Sequence, residues 1–205
     1  AMLAQLIQGG RQTWTGELTQ SLDDVELFPR IAATPLTTWV AVGGSPQSVL
    51  RAANYGLPLM LAIIGGPVDR FAPFADLHRR ALDELGKAPQ PVGWHSYGHL
   101  AQTDDAARER MFRPWLEQTS KIGRERGWGR MTRDHFDEEA DHGAMAVGSP
   151  ETVAAKVAHG FRTLGAQRFQ LKVSTGRLSH EAIMETIGLY GTEVVPLVKD
   201  MLSDS

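Results

Sequence analysis

The amino-acid sequence predicts an α/β protein with a parallel sheet, because strand and helix patterns alternate four times along the chain. Residues 59–64 are a continuous apolar run, as expected of a parallel strand buried on both faces. Gly-Ser-Pro occurs twice, around Ser45 and Ser149, and each copy precedes an apolar helical pattern. Serine is a good N-cap and proline suits the first helical position, so both copies predict helix starts.

The first 37 residues contribute little to this pattern. Residues 2–8 are interpreted as the end of a helix, and residues 9–37 as mostly loop. A short extended piece is predicted around Val25, Leu27 and Ile31. No linker composition stands out, so residues 1–205 are interpreted as a single α/β domain in which residues 1–37 lead in.

The remaining elements are predicted from apolar periodicity and capping residues. Strands are expected at residues 39–42, 59–64, 91–101 and 169–173. Helices are expected at residues 46–56, 71–85, 104–122, 133–140, 150–165 and 180–197, with a polar loop at residues 123–130. Gly191 and Pro196 are expected to bend the last helix.

Composition excludes several classes of function. The 205 residues carry a net charge of −3 with interleaved signs, which argues against nucleic-acid binding. The absence of cysteine excludes disulfides, a thiolate nucleophile and cysteine metal sites. The start lacks a signal-peptide pattern, and no apolar run approaches membrane-spanning length. We therefore expect a soluble cytoplasmic protein that does not bind membranes.

The turn between the strand at residues 39–42 and the following helix is the first candidate site. Gly43 and Gly44 leave backbone N–H groups free, and the hydroxyls of Ser45 and Ser48 lie at the positive end of a helix dipole. Such a turn suits a phosphate group. The alternative is an ordinary strand-to-helix connection with a good cap.

Two histidines give a second candidate. His95 and His99 lie four residues apart on a predicted strand, so they face the same way. They could form the polar wall of a pocket, or they could be ordinary hydrogen-bonded histidines. No nearby carboxylate completes a ligand set, so no metal site is predicted.

The predicted loop at residues 123–130 gives a third candidate. Arg124, Arg126 and Trp128 could form a lid that clamps an anion or stacks on a ring. The alternative is a solvated loop. The acidic run at residues 137–141 is interpreted as a solvated helix face, with a divalent cation site as the alternative. No catalytic residue is identified from these patterns.

Several phrases together resemble the luciferase-like, flavin-dependent monooxygenase family, in the order found in the second half of its members. These phrases are Trp39-Val-Ala-Val-Gly-Gly-Ser-Pro, Ala52-Ala-Asn-Tyr-Gly-Leu-Pro, Ile122-Gly-Arg-Glu-Arg-Gly-Trp, Val147-Gly-Ser-Pro-Glu-Thr-Val-Ala and Gly191-Thr-Glu-Val-Val-Pro. The resemblance covers nearly all of the chain.

The resemblance implies a (β/α)8 barrel that binds FMN or, in some branches, a deazaflavin. It implies a flavin-dependent oxidoreductase or monooxygenase that uses reduced flavin and dioxygen on a small organic substrate. Family hydroxyls at the positions of Ser45 and Ser48 bind the flavin phosphate. Members often have an acidic residue where Gly44 stands, so only backbone can contribute there.

A complete barrel takes about 250 residues, so the resemblance implies a half-barrel made of strands five to eight. Such a half would expose two strand edges and an apolar inner face. We therefore expect a homo-oligomer or a partner chain that supplies the other half; a fragment of a full enzyme is the alternative. Two other functions stay open, a non-catalytic half-barrel that acts as an assembly or ligand-binding subunit and a deazaflavin-dependent reductase.

Overall fold

The computed structural model describes residues 2–28 and 36–203, so the expectation for Ile31 lies outside the described residues. The chain divides into two compact units, Ala1–Val40 and Ala41–Ser205. The interpretation of residues 1–205 as one domain stays a prediction.

The first unit contains a short helix and a β-hairpin. Helix α1 is Met2–Leu6, and strands β1, Arg11–Trp14, and β2, Leu22–Glu26, pair antiparallel. The prediction of mostly loop is therefore wrong for these two strands, whereas the extended piece predicted around Val25 is confirmed by β2, which ends before Leu27. The side chains of β1 and β2 are largely polar and exposed, so these segments lack the alternation of apolar and polar residues that predicts a half-buried strand. Pairing with each other makes them strands, and neither sequence alone signals that pairing.

The second unit carries the predicted alternation of strands and helices. Its strands are β3 (Val40–Val42), β4 (Leu59–Ala62), β5 (Val92–Leu100), β6 (Ala146–Gly148) and β7 (Arg168–Lys172). Its helices are α2 (Pro46–Asn54), α3 (Ala72–Glu84), α4 (Asp104–Arg126), α5 (Arg133–Asp141), α6 (Pro150–Leu164), α7 (His180–Leu189) and α8 (Val195–Ser203). A 3-10 turn, Val68–Phe71, precedes α3, and a π-helical turn, Tyr190–Val194, joins α7 to α8.

Four strands form the predicted parallel sheet in the order β3, β4, β5, β7. Leu61 of β4 pairs with Trp94 of β5, and Trp94 pairs in turn with Phe169 of β7. The α/β class and the half-barrel arrangement of strands are thus confirmed. Strand β6 is an addition that the sequence did not predict; it pairs parallel with the last three residues of β5.

The two faces of the sheet differ in chemistry. On the helix side, the Trp94 ring packs on the rings of Phe161 and Phe169, at centroid distances of 4.8 and 4.7 Å. Gly160 of α6 makes room for this tryptophan, since a Cβ there would lie 2.5 Å from Trp94 Cζ2. Apolar residues of β5 and β7 therefore point toward the helices and form the core on that side.

The opposite, inner face is polar on β5 and β7. Alternation places His95 and Tyr97 of β5 on this face beside Gln170 and Lys172 of β7, which are exposed. Lys172 Nζ lies 4.6 Å from the centroid of the Tyr97 ring, a cation–π contact. The expectation of an apolar inner face is therefore wrong for these two strands.

The predicted helix starts are confirmed by their caps. Each side chain of the capping set accepts a hydrogen bond from the backbone N–H three residues on, as an N-cap does. The capping residues are Ser45, Thr103, Thr132, Ser149 and Ser179.

The polar loop predicted for residues 123–130 is wrong in its first half, because α4 continues to Arg126. Gly123 is buried inside the helix, where a Cβ would meet the Trp128 side chain at 3.4 Å. The helix ends at Gly127, which has φ +69°. The Trp128 side chain and its backbone N–H, which donates to the Gly123 carbonyl at 2.9 Å, thus pack against Gly123 at the end of the helix.

A π-helical turn, Tyr190–Val194, interrupts the last helix in the region where the sequence predicts a bend. Val195 N–H donates to the carbonyl of Tyr190, a π-type bond, just before Pro196, which has no N–H to donate. Among the described residues, none of the helices combines the length and the apolar character that crossing a bilayer requires.

Candidate functional site

The turn between β3 and α2 presents an open helix N-terminus. Gly43 and Gly44 are exposed, and Ser45 and Ser48 are half-buried. Gly44 has φ +115°, a conformation that L side chains rarely adopt, and a Cβ there would have no atom within 4 Å. Ser45 Oγ accepts from Ser48 N at 3.3 Å, whereas no bond of the Ser48 hydroxyl is found among the described residues. The turn thus offers a hydroxyl and backbone donors beside free space.

The matching turn before α6 is closed by the protein itself. Asp104 Oδ1 accepts from Ser149 N at 2.7 Å, and Asp104 Oδ2 accepts from the Thr152 hydroxyl at 3.0 Å. The bond from the Ser149 backbone holds the pKa of the Asp104 carboxyl below its usual value. An internal carboxylate therefore fills the position that an external anion would take at α6. Within residues 2–28 and 36–203, no carboxylate accepts from the first turn of α2.

A cavity of about 600 Å³ lies at the C-terminal ends of the parallel strands, bounded by α4 and α5. We call it the α4–α5 cavity. Its lining residues are Ile64, Gly65, Tyr97, Trp115, Gln118, Thr119, Ile122, Arg126, Trp128, Met131, His135, Glu138, Glu139 and Thr175. The C-terminal edge of the strands is where (β/α) barrels place their active sites. The open end of α2 follows β3 at this same edge.

Hydrogen bonds fix the walls of the α4–α5 cavity to the strand ends. Both carboxylate oxygens of Glu139 accept from Gly66 N, at 2.9 and 3.0 Å, and so tie α5 to the loop after β4. Gly176 N donates to Gln118 Oε1 at 2.7 Å, which ties the loop after β7 to α4. Gly176 has φ +56° and lies so close to the Pro114 backbone that a Cβ would not fit. Hydrogen bonds between the helices and the loops that follow the strands therefore fix the walls of the cavity.

Aromatic packing fixes the two helices against each other. The Phe136 ring of α5 lies 5.3 Å from the Trp115 ring and 5.5 Å from the Phe112 ring, both edge-on. The guanidinium of Arg133 lies 4.9 Å from the Phe112 centroid. Trp115 is 7% exposed, so it belongs to the core and at the same time lines the cavity.

One polar atom on the cavity wall lacks a partner. The Thr175 side chain is 1% exposed, and its hydroxyl has no hydrogen-bond partner among the described residues. Leaving a buried hydroxyl unpaired costs about 1–3 kcal/mol. Thr175 lines the α4–α5 cavity, so a molecule in the cavity can supply the missing partner.

The structure separates the two predicted histidines from this cavity. His99 is fully buried, and its Nδ1 lies 2.8 Å from the Thr186 hydroxyl on α7. His95 is half-buried on the inner face. Burial lowers the pKa of both imidazoles, and the Lys172 charge lowers that of His95 further. Their surroundings therefore favour the neutral form of both imidazoles, and neither lines the α4–α5 cavity.

The three predicted lid residues lie in different places. Arg126 and Trp128 line the α4–α5 cavity, and the Arg126 guanidinium lies 5.7 Å from the Trp128 ring centroid. Arg124 lies on α4 and lines a separate surface groove. The structure thus brings two of the three together, at the end of a helix.

The acidic run at residues 137–141 is engaged with other groups. Asp137 accepts from Arg133 Nε at 2.9 Å, Asp141 pairs with Arg108, and Glu139 binds the Gly66 backbone as described above. Within the described ranges, no three His, Asp or Glu side chains come together as metal ligands would.

Sequence reasoning missed most of the cavity wall, Thr175, Tyr97 and Met131 in particular. One signal was available for Thr175, because Ser174 and Thr175 follow a predicted parallel strand at its C-terminal end. Tyr97 and Met131 carry no such signal, since they reach the cavity only through the packing of α4 and α5.

Comparison with known proteins places the chain in a family. The sequence profile of the luciferase-like monooxygenases matches residues 1–168, and the chain belongs to this family. No curated protein sequence matches it significantly.

Solved structures share the fold at low identity. Monooxygenase RslO1 from Streptomyces bottropensis superposes with a TM-score of 0.72 at 20% identity, over 95% of this chain and 58% of that one. A second structure is the oxygenating constituent of 3,6-diketocamphane monooxygenase from Pseudomonas putida, a type II Baeyer–Villiger monooxygenase in complex with FMN. It superposes with a TM-score of 0.71 at 15% identity, over 96% of this chain and 60% of that one. The coenzyme F420 dependent tetrahydromethanopterin reductase from Methanopyrus kandleri superposes with a TM-score of 0.61 at 15% identity, over 95% of this chain and 60% of that one. The chain thus spans about 60% of the length of these proteins.

Proposed function

We propose that the chain forms the phosphate-anchoring half of a flavin-dependent oxidoreductase or monooxygenase of the luciferase-like class. With the barrel complete, it would use reduced FMN and dioxygen on a small organic substrate. The observation that carries the proposal is the open N-terminus of α2, in contrast to the N-terminus of α6 that Asp104 closes. Family membership and a structural neighbour that holds FMN support it.

The residues at α2 fit a phosphate. The Ser48 hydroxyl and the backbone N–H groups of Gly44 and Ser45 can donate to its oxygens, and the helix dipole favours its charge. The open space around Gly44 lets the phosphate approach the backbone closely. Bound reduced flavin would supply the electrons for dioxygen activation, and this chain would hold its phosphate end.

The inner face offers polar groups for the remainder of the cofactor. His95, Tyr97, Gln170 and Lys172 lie on this face and can donate or accept hydrogen bonds toward a bound ring system. The proposal therefore gives this chain the anchor of the cofactor and part of the surface beneath it. It assigns no acid or base to a named residue.

Replacing Ser45 and Ser48 together by alanine tests the anchor. We expect FMN affinity to fall about 30-fold, which corresponds to about 2 kcal/mol for lost hydrogen bonds to a charged group. Riboflavin lacks the phosphate, so its affinity should stay the same. Titration followed by the visible flavin spectrum and by isothermal calorimetry measures both ligands.

Ser149→Ala is the matched control, because it removes the same kind of N-cap at a helix start that Asp104 already fills. It should lower stability without changing FMN affinity. Equal losses of FMN and riboflavin in the double variant would contradict the assigned role, as would the absence of FMN binding in the unmodified protein.

We also propose that another half-barrel completes the sheet, supplied by a second copy or by a partner chain. Within the described residues, β3 pairs only with β4 and β7 pairs only with β5, so each leaves one edge open. We expect analytical ultracentrifugation of the purified chain to give a mass above that of one copy, or to do so once a complementary chain is added. A monodisperse single copy that binds no hydrophobic dye would contradict this proposal.

A deazaflavin is the alternative cofactor, because F420-dependent enzymes share the fold. Parallel titrations with FMN and F420 separate the two. A non-catalytic half-barrel is the other alternative, and substrate-dependent oxidation of reduced flavin by the chain alone would exclude it.

A further inference from the structure

The α4–α5 cavity has the composition of a site for a ring-shaped ligand. Tyr97, Trp115 and Trp128 line it together with the apolar side chains of Ile122 and Met131. Its volume of about 600 Å³ lies within the range of small-molecule sites, about 300–1,000 Å³. Aromatic walls favour flat ligands, because rings stack or meet edge to face.

The buried Thr175 hydroxyl favours a ligand that carries one hydrogen-bonding group. This hydroxyl lines the cavity and has no partner among the described residues. Valine has nearly the same shape and would avoid the cost of an unpaired hydroxyl. A ligand oxygen that hydrogen-bonds Thr175 would remove this cost and would fix the orientation of the ring.

The charges around the cavity argue against an anionic ligand. Glu138 and Glu139 bring two carboxylates to the lining, against one arginine, Arg126. A sulfonate or carboxylate would meet repulsion from two glutamates, and only one arginine could offset it. An uncharged ligand avoids this conflict.

We propose that the α4–α5 cavity binds an uncharged aromatic alcohol or ketone, with its ring against Trp128 and its oxygen bonded to the Thr175 hydroxyl. This assignment rests on the proposed function in one respect only, since such a compound would be the substrate that dioxygen oxidises. One oxygen atom would enter the compound and the other would leave as water, with two electrons supplied by reduced flavin. Binding itself needs no flavin, because the cavity and the α2 N-terminus have no lining residue in common.

The test uses the full chain without flavin and three related probes. 2-Naphthol carries the ring and a hydroxyl, naphthalene lacks the hydroxyl, and 2-naphthalenesulfonate replaces it with a charge. We expect 2-naphthol to bind tightest by calorimetry. Thr175→Val should weaken 2-naphthol about tenfold, about 1.4 kcal/mol, and should leave naphthalene unchanged. Thr175→Ser keeps a hydroxyl and should restore most of the affinity.

Two further variants locate the ring. Trp128→Ala should weaken 2-naphthol and naphthalene alike by about fivefold, because Trp128 is 43% exposed and its loss leaves the core intact. Thr192→Val removes an exposed threonine hydroxyl that donates to the Gly188 carbonyl, outside the cavity, and should change neither affinity. Melting curves verify that every variant is folded.

Three results would overturn the assignment. They are no aromatic binding by the folded chain, equal weakening of 2-naphthol and naphthalene by Thr175→Val, and tighter binding of the sulfonate than of 2-naphthol. None of them bears on FMN, which the Ser45 and Ser48 variants test separately. Conversely, failure of FMN to bind would remove the proposed oxidation and leave the naphthol result standing.

Discussion

Gly98→Ala is expected to lower the free energy of unfolding by about 3 kcal/mol, the upper part of the range for overpacking in a closed core. A Cβ at Gly98 would lie below 3.0 Å from the Ala146 carbonyl oxygen and from Leu171 Cδ1. The Ala146 oxygen belongs to the backbone of β6, so it can move only if the pairing of β5 with β6 shifts. Urea denaturation followed by circular dichroism measures the change.

The effect should extend to the α4–α5 cavity. Val147 of β6 packs in the same core cluster as Trp115 and Phe136, and Tyr97 adjoins Gly98 on β5. A shift of β6 therefore moves the side chains that line the cavity. We expect 2-naphthol binding to weaken in Gly98→Ala even where the variant stays folded.

Gly188→Ala is the matched control for the loss of a glycine. A Cβ at this position of α7 would meet no atom within 4 Å, so alanine should raise stability by about 0.5–1 kcal/mol through the lower entropy of the unfolded chain. Equal effects of the two substitutions would show that the close approach of β5 and β6 is not rigid.

Lys156→Met is also expected to lower the free energy of unfolding by about 3 kcal/mol at pH 7. Lys156 Nζ donates to the carbonyls of Gly143 and Met145, at 3.1 Å each, and to the carbonyl of Ala140 in α5. Methionine keeps the length of the side chain and removes all three donors, which leaves carbonyls at the end of α5 without their partner. Lys121→Met, on the exposed side of α4, is the control and should change little.

The same lysine gives a pH dependence with a defined sign. Burial lowers the pKa of Lys156 to about 8 in the folded protein, from 10.5. Between pH 8 and 10.5 the unfolded chain therefore holds more protons than the folded one, and this group makes the protein more stable as pH rises. The stability gap between wild type and Lys156→Met should widen from pH 7.5 to pH 10. A constant or narrowing gap would contradict the burial of the charge.

The proposed functions divide between two places at the C-terminal edge of the sheet. The α2 N-terminus suits the phosphate of a cofactor, and the α4–α5 cavity suits an uncharged ring. A glycine–serine pattern in the sequence indicates the first of these, whereas for the second the sequence indicates only Arg126 and Trp128. Variants at Ser48 and at Thr175 therefore test separate parts of one proposed enzyme.

Much of the fold could be predicted because it rests on local patterns. The run at residues 59–64 predicted a buried strand, and Ser45, Thr103, Thr132, Ser149 and Ser179 predicted helix starts that the structure confirms. Capping and periodicity depend on residues a few positions apart, so the sequence displays them directly. The family phrases likewise predicted the half-barrel that the sheet forms.

The elements that escaped prediction depend on distant partners. Strands β1 and β2 exist because they pair with each other, and β6 because Gly98 lets it approach β5. Each outcome is decided by a contact that no short window of sequence contains.

Local sequence patterns were enough to establish the α/β class, the helix starts and the glycine–serine turn before α2. They could not distinguish the two Gly-Ser-Pro turns, which have the same three residues. Only the tertiary structure did so, because Asp104 reaches Ser149 from 45 residues away and closes α6, while the end of α2 stays open. The same holds for Thr175, whose hydroxyl becomes a candidate for binding only once packing has removed it from water.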